Sequence, residues 1–252
     1  YGDDDYLWMK DYLQLDGMCY KLVPIRTPID KRNPYDMGRI DTDKMYNIVK
    51  EWDWGNGNDP DIYHDPETRK NGLVYRSNLA KLIEELIKVK DFERAEEMLD
   101  LGMEQMPVDY YGFYTLLEPF ISGYYEIGKP KKARDIWRQV ATKYQENLTY
   151  YSGFKESRQF RYAEDIITDI ERYRSLVDIL IIYQDEELVK PEAEKFNNYL
   201  RLFRHFYGED EEMNPEEELT PEEQQYIEGF EQEFGTETTP KIDSVNNLDS
   251  IN

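Results

Sequence analysis

The chain has 252 residues, with 54 acidic side chains against 31 basic ones and a net charge of −23. That balance excludes the basic stripe with which proteins neutralise nucleic-acid phosphates, and equally a polybasic surface for anionic lipid. The single cysteine, Cys19, excludes an internal disulfide and a thiolate metal cluster.

The charge is uneven. From Gly208 onward 15 acids face one lysine, whereas residues 1–207 carry 39 acids and 30 bases. The opening residues show no charged n-region followed by an apolar h-region. No stretch approaches the roughly 18 apolar residues of a spanning helix. The longest apolar run, 176–183, is short and contains Asp178. The chain reads as a soluble piece of a larger protein.

Residues 1–40 read as an irregular segment continuing from an upstream membrane region. Acids at Asp3 to Asp5 precede the stretch YLQLDGMCYKLVPI (12–25), and Pro24, Pro28 and Pro34 then break the chain. Apolar and polar residues alternate over Cys19 to Pro24, as in the end of a structural unit, yet nothing before them could supply a docking surface. Residues 41–72 predict a short helix and an Asp/Gly-rich loop. Thr42 serves as N-cap, Met45, Ile48, Val49 and Trp52 follow at i, i+3, i+4, i+7, and WGNGNDPD ends the helix.

Residues 73–207 predict helical hairpins. Leu79, Leu82, Ile83 and Leu86 lie on one helix, a break falls at Val89-Lys90-Asp91, and Ala95, Leu99 and Met103 carry a second helix to Pro107. The stretch from Tyr114 to Gln145 repeats the pattern. Leu117, Phe120, Ile121, Tyr124, Ala133 and Trp137 align with Leu79, Leu82, Ile83, Leu86, Ala95 and Leu99. In both, a small alanine follows a large residue by nine positions, letting the second helix approach the first, and Gly128 supplies a tight turn. The two units resemble the tetratricopeptide repeat, although the alanines lie 38 residues apart, so VDYYG adds a turn or loop. A third pair follows over 158–207, with Ile166, Ile170, Tyr173, Val177, Leu180 and Ile181 on its first helix. Ala193, Phe196, Leu200 and Phe203 lie on its second. The fold class expected is therefore all-α: tetratricopeptide-like hairpins between an irregular N-terminal segment and an acidic, partly disordered tail (208–252). One short helix starts in that tail at Thr220 and ends near Phe234.

YLQLDGMCYKLVPI, GRIDTDKMYNIVKEWDWGN, DPDIYHD and RSNLAKLIEEL occur in that order. Together they resemble the C-terminal part of a bacterial family of multi-spanning membrane proteins similar to protein O-mannosyltransferases, of the GT-C type. The resemblance covers roughly residues 10–155 well and 156–207 loosely. It implies a soluble accessory domain of a membrane glycosyltransferase, on the extracytoplasmic (periplasmic) side of the inner membrane. The family's acceptor chemistry belongs to a loop carboxylate near the membrane helices, so no catalytic residue is carried over. The expected partners are the upstream membrane domain and polypeptide acceptors; no cofactor is expected.

Asp59 and Asp61 form the short acidic pattern that holds a metal in some soluble glycosyltransferases, and His64, Asp65 and Glu67 add ligand types nearby. The commoner use of Asp beside Pro is to cap turns, and no glycine-rich nucleotide cradle precedes the motif. The tyrosine doublets at 110–111, 124–125 and 150–151 could stack on sugars, but one ring of each suits an inter-helix hole better. By analogy with tetratricopeptide geometry, a concave groove would present Ser77, Glu84, Lys88, Glu118, Ser122, Tyr125 and Glu126. Such a groove is polar and rather acidic. The leading expectation is a non-catalytic module that recruits protein acceptors. The alternatives are a structural domain packed on its own membrane region, and a sugar- or metal-binding domain.

Overall fold

The computed structural model describes residues 4–29, 37–112 and 114–206, so the acidic tail lies outside the described residues. The chain is mainly helical, with one small sheet, and forms two compact units, residues 1–140 and 141–252.

The first unit begins with a correction: the N-terminal segment is not irregular. A 3-10 stretch (Asp4–Tyr12) leads into strand β1 (Leu13–Asp16), which pairs antiparallel with β2 (Cys19–Leu22) in the register Leu13↔Leu22 and Leu15↔Tyr20. Strand β3 (Arg39–Ile40) joins β1 on its other side in parallel, giving the order β2-β1-β3. Two glycines permit this. Gly17 turns the hairpin at φ +66°, where a Cβ would lie 2.7 Å from Ile48. Gly38, at φ +72°, passes so close to β1 that a Cβ would meet the Leu13 carbonyl oxygen at 1.9 Å.

The hairpin docks on the chain's own helices. Helix α1 (Thr42–Lys50) buries Met45 and Val49, and its N-cap is Asp41, one residue before the expected Thr42. The Asp41 carboxylate accepts the Lys44 amide at 3.1 Å. The Gly17 amide points at Met45 Sδ at 2.8 Å, and Asn78 Nδ2 donates to the Gly17 carbonyl at 3.0 Å. Asp16 receives Gln14 at 2.7 Å, Lys44 at 2.7 Å and Lys21.

Helix α2 (Pro66–Lys88) starts about two turns before the expected Leu73, because Asp65 caps it and Pro66 fits the first turn. It packs on α3 (Phe92–Gln105), and Asp91 caps α3. The inserted VDYYG contains one turn, α4 (Val108–Tyr111). Helix α5 (Glu118–Glu126), entered by a 3-10 turn over Tyr114–Leu117, packs on both α2 and α3. Helix α6 (Pro130–Ser152) follows and runs through the boundary between the units. All twelve aligned positions of the two hairpins are buried, from Leu79, Leu82 and Ile83 to Ala133 and Trp137. Arg76 is buried too, donating to the carbonyls of Gly112 and, at 2.8 Å, Met106. With no carboxylate beside it, burial pulls its pKa down to about 10.

The second unit combines the end of α6 with a single turn, α7 (Glu156–Gln159), and the long helices α8 (Ala163–Ile182) and α9 (Val189–Leu202). Its apolar centre holds Tyr144, Leu148, Ile166, Ile170, Val177, Leu180, Phe196 and Phe203. Ile181, expected inside, is 47% exposed, because it lies roughly a quarter turn from the stripe that its neighbours form. A polar layer crosses this core: Gln145 donates to Tyr173 Oη at 2.8 Å and to Glu192 at 2.9 Å, and Tyr173 donates to Glu192 at 2.8 Å. Burial and the Glu192 carboxylate both push the Tyr173 phenol well above its ordinary range.

Two carboxylates make opposite pH predictions. Burial works against the Asp16 charge, but hydrogen bonds from Gln14, Lys21 and Lys44 outweigh it and hold the pKa at about 2. A depressed pKa stabilises the fold above the unfolded value, and that contribution disappears as pH falls toward the folded one. Asp16→Asn should therefore cost about 1–2 kcal/mol at pH 7. The deficit, read from urea midpoints, should close between pH 4 and pH 2. Asp178 is the reverse case: burial raises its pKa despite the nearby Arg174. Its charge opposes folding at neutral pH, and the penalty lifts as pH falls through the raised value. Asp178→Asn should raise the melting temperature at pH 7, and thermal melts should show the gain fading in acid.

Candidate functional site

Helix α2 turns Lys81, Glu84, Glu85 and Lys88 to one side, at the i, i+3, i+4, i+7 spacing of a single helical face. Opposite them stand Tyr20 of β2, Thr27 and Pro28 of the loop that follows it, and Met37, Gly38, Arg39 and Ile40 at β3. Between these walls lies a groove of about 510 Å3. At one point Lys81 bridges the walls, donating to Tyr20 Oη at 2.8 Å with its ammonium 5.4 Å from the ring centroid. Lys88 pairs with Glu84 at 3.0 Å and Glu85 at 2.9 Å. Burial opposes the Lys88 charge, but these hydrogen bonds prevail and raise its pKa. The half-buried Arg39 makes no side-chain hydrogen bond or ion pair among the described residues. The groove thus carries three cations and two carboxylates, with one guanidinium uncommitted.

Of the residues expected in a groove, the structure brings Glu84 and Lys88 to this one, and the other five do not line it. Ser77 is half-buried on α2, upstream of the groove. Glu118, Ser122 and Glu126 lie half-buried on α5, and Tyr125 is buried there at 8% exposure. The face of α2 expected to stand open is partly covered by the chain's own hairpin, through Asn78 to Gly17 and Lys81 to Tyr20. Sequence reasoning missed Tyr20, Arg39 and Lys81. Lys81 shares the Glu84/Lys88 stripe and was within reach, whereas Tyr20 and Arg39 depend on the sheet.

Of the residues proposed for a metal, Asp59 and Asp65 are committed otherwise. Asp59 accepts the Asp61 amide at 3.0 Å, and Asp65 accepts the amides of Glu67 and Thr68 at 2.9 and 3.1 Å as the cap of α2. Hydrogen bonds, first that of the Thr68 hydroxyl, lower the Asp65 pKa. Asp61 is exposed, and the His64 ring packs on Tyr110 with Nε2 buried and without a hydrogen-bond partner among the described residues. Among the described residues no three His, Cys, Asp or Glu side chains gather in a metal-holding arrangement. Of the tyrosine doublets, Tyr124 and Tyr125 are both buried. Tyr110 is tied by its hydroxyl to the Ile62 carbonyl at 2.6 Å, and Tyr150 is 62% exposed.

A family model described as TMEM260-associated domain 2 matches residues 1–44, which include all three strands and the first residues of α1. No curated protein and no solved structure matches the chain. Seven of the eleven groove residues, among them Tyr20 and Arg39, fall inside the matched stretch; the four on the α2 wall fall outside it.

The groove exists only while the hairpin is docked. Asn78→Leu should remove the Gly17 bond, leave that carbonyl buried, and cost about 1–3 kcal/mol. Hydrogen exchange should rise over residues 13–22 and stay unchanged in α8 and α9. Equal protection in both variants would show that the hairpin is held by other contacts.

Proposed function

We propose that this chain is a non-catalytic interaction module of a membrane protein similar to the GT-C mannosyltransferases, and that the groove holds an extended polypeptide acceptor. The observation that carries this reading is the groove itself. It has two polar walls, a free guanidinium at Arg39 to meet main-chain carbonyls, and Glu84 and Glu85 to accept from amides or hydroxyls. The match of residues 1–44 to a TMEM260-associated domain fits such a setting. Among the described residues no helix is long and apolar enough to cross a membrane; in this reading the spans belong to an upstream membrane domain, with this module on the periplasmic side. The helical pairs α2–α3 and α5–α6 we read as tetratricopeptide-like repeats, on the shared burial of their aligned positions.

A second reading, a structural domain packed on its own membrane region, draws support from the N-terminal segment. Trp8, Leu22 and Ile25 there are 76%, 58% and 47% exposed, large apolar side chains that a packed membrane region would cover.

The two readings separate in a titration of Ser/Thr-rich peptides onto the chain. Recruitment predicts micromolar or weaker binding, weakened about tenfold by Arg39→Ala together with Glu84→Lys. It should also weaken above about 0.15 M salt, where charges beyond roughly 8 Å are screened. Superimposable curves for the two proteins, or no binding, would favour the structural reading.

A further inference from the structure

A second cluster owes nothing to the groove and lines no part of it. The rings of Trp52 and Trp54, on the segment after α1, and Tyr75, on α2, close into a triad. Their centroids lie 5.4, 5.0 and 5.3 Å apart. All three residues are half-buried. Buried indole N–H and phenol O–H groups ordinarily find a partner. Here neither indole N–H nor the Tyr75 hydroxyl hydrogen-bonds to anything among the described residues. The buried atoms that lack a partner include none of these tips, so solvent reaches them.

The loop that carries the tryptophans is already held in place. Trp52 N–H donates to the Val49 carbonyl at 3.1 Å, Gly57 N–H to the Trp54 carbonyl at 3.0 Å, and Asp59 N–H to the Asn56 carbonyl at 3.1 Å. Asp53, between the two tryptophans, uses one carboxylate oxygen on the Gly55 amide at 3.0 Å and is otherwise exposed. The side-chain amides of Asn56 and Asn58 make no hydrogen bond among the described residues. Rigid aromatic bodies on an ordered loop lose little entropy on binding.

We propose that Trp52, Trp54 and Tyr75, with Asp53, form a binding platform for a neutral carbohydrate. A pyranose offers an apolar C–H face to aromatic rings and, around its rim, hydroxyls that both donate and accept. The free indole and phenol hydrogens meet the acceptors, and Asp53 meets the donors. A proline-rich segment would also stack on such rings and accept from the indoles. It presents few donors for a carboxylate, so the presence of Asp53 favours the sugar.

The chain has four tryptophans, Trp8, Trp52, Trp54 and Trp137, so its indole N–H resonances form a small, assignable set. The test is to titrate the 15N-labelled full chain with mannotriose, cellotriose and decaproline, assigning the peaks with Trp52→Phe and Trp54→Phe. The proposal expects a trisaccharide to move the Trp52 and Trp54 indole signals at millimolar concentration or below. Trp8 and Trp137 should hold still, and Asp53→Ala, an exposed change, should weaken binding several-fold. Shifts with decaproline alone would reassign the platform to peptides. Still signals with both sugars, uniform movement of all four indoles, or an Asp53→Ala curve identical to wild type would overturn it.

Discussion

The docking of one glycine turn organises the first unit. Gly17 offers its amide to the Met45 sulfur and its carbonyl to Asn78, linking the β1–β2 hairpin to α1 and α2 at one residue. Any Cβ there would collide with Ile48, so the turn sits flush on α1 only because it is glycine. Asp16, one residue earlier, adds ionic contacts to Lys21 on β2 and Lys44 on α1. These bonds are mostly buried, where an unmade partner costs more than the bond itself gains. The hairpin is therefore either fully seated or not seated at all.

Both candidate sites follow from that seating. With β1 fixed, β3 can pair beside it at the close approach Gly38 allows, and Arg39 then faces the α2 stripe of Lys81, Glu84, Glu85 and Lys88. On the other flank Trp52 packs beside Gly17, its indole nitrogen 3.4 Å from where a Cβ would stand, and this helps hold the ring against Trp54 and Tyr75. The surfaces differ in kind. The groove is polar and of mixed charge, suited to a main chain. The triad is aromatic with free donors, suited to a ligand that has one apolar face.

Much of the helical part was legible, and for definite reasons. The alanines at 95 and 133 are fully buried, as are Leu86 and Tyr124 nine residues before them, and a spacing that short is set by local helix and turn geometry. Asp91 and the Gly128 turn mark helix ends through backbone chemistry that acts within a few residues. The errors fall where two local choices compete. Thr42 and Asp41 are both good caps, and the one whose carboxylate reaches the third amide wins. The N-terminal strands were too short and too proline-flanked to stand out, and the partner that stabilises them lies about 60 residues away at Asn78.

The sequence by itself determined the helical class, the paired hairpins and their buried stripes, because a 3.6-residue period and its caps are local properties. It also made the acidic Asp59–Asp65 loop legible as capping chemistry, which is how the structure uses Asp59 and Asp65. Only the tertiary structure decided which helix face stays open. The face of α2 that periodicity marks as polar is partly occupied by the chain's own hairpin, leaving Glu84 and Lys88 on a groove and Ser77 off it. Occupancy depends on contacts between residues far apart in the chain, such as Gly17 with Asn78 and Tyr20 with Lys81, and no periodic pattern within either segment encodes its partner.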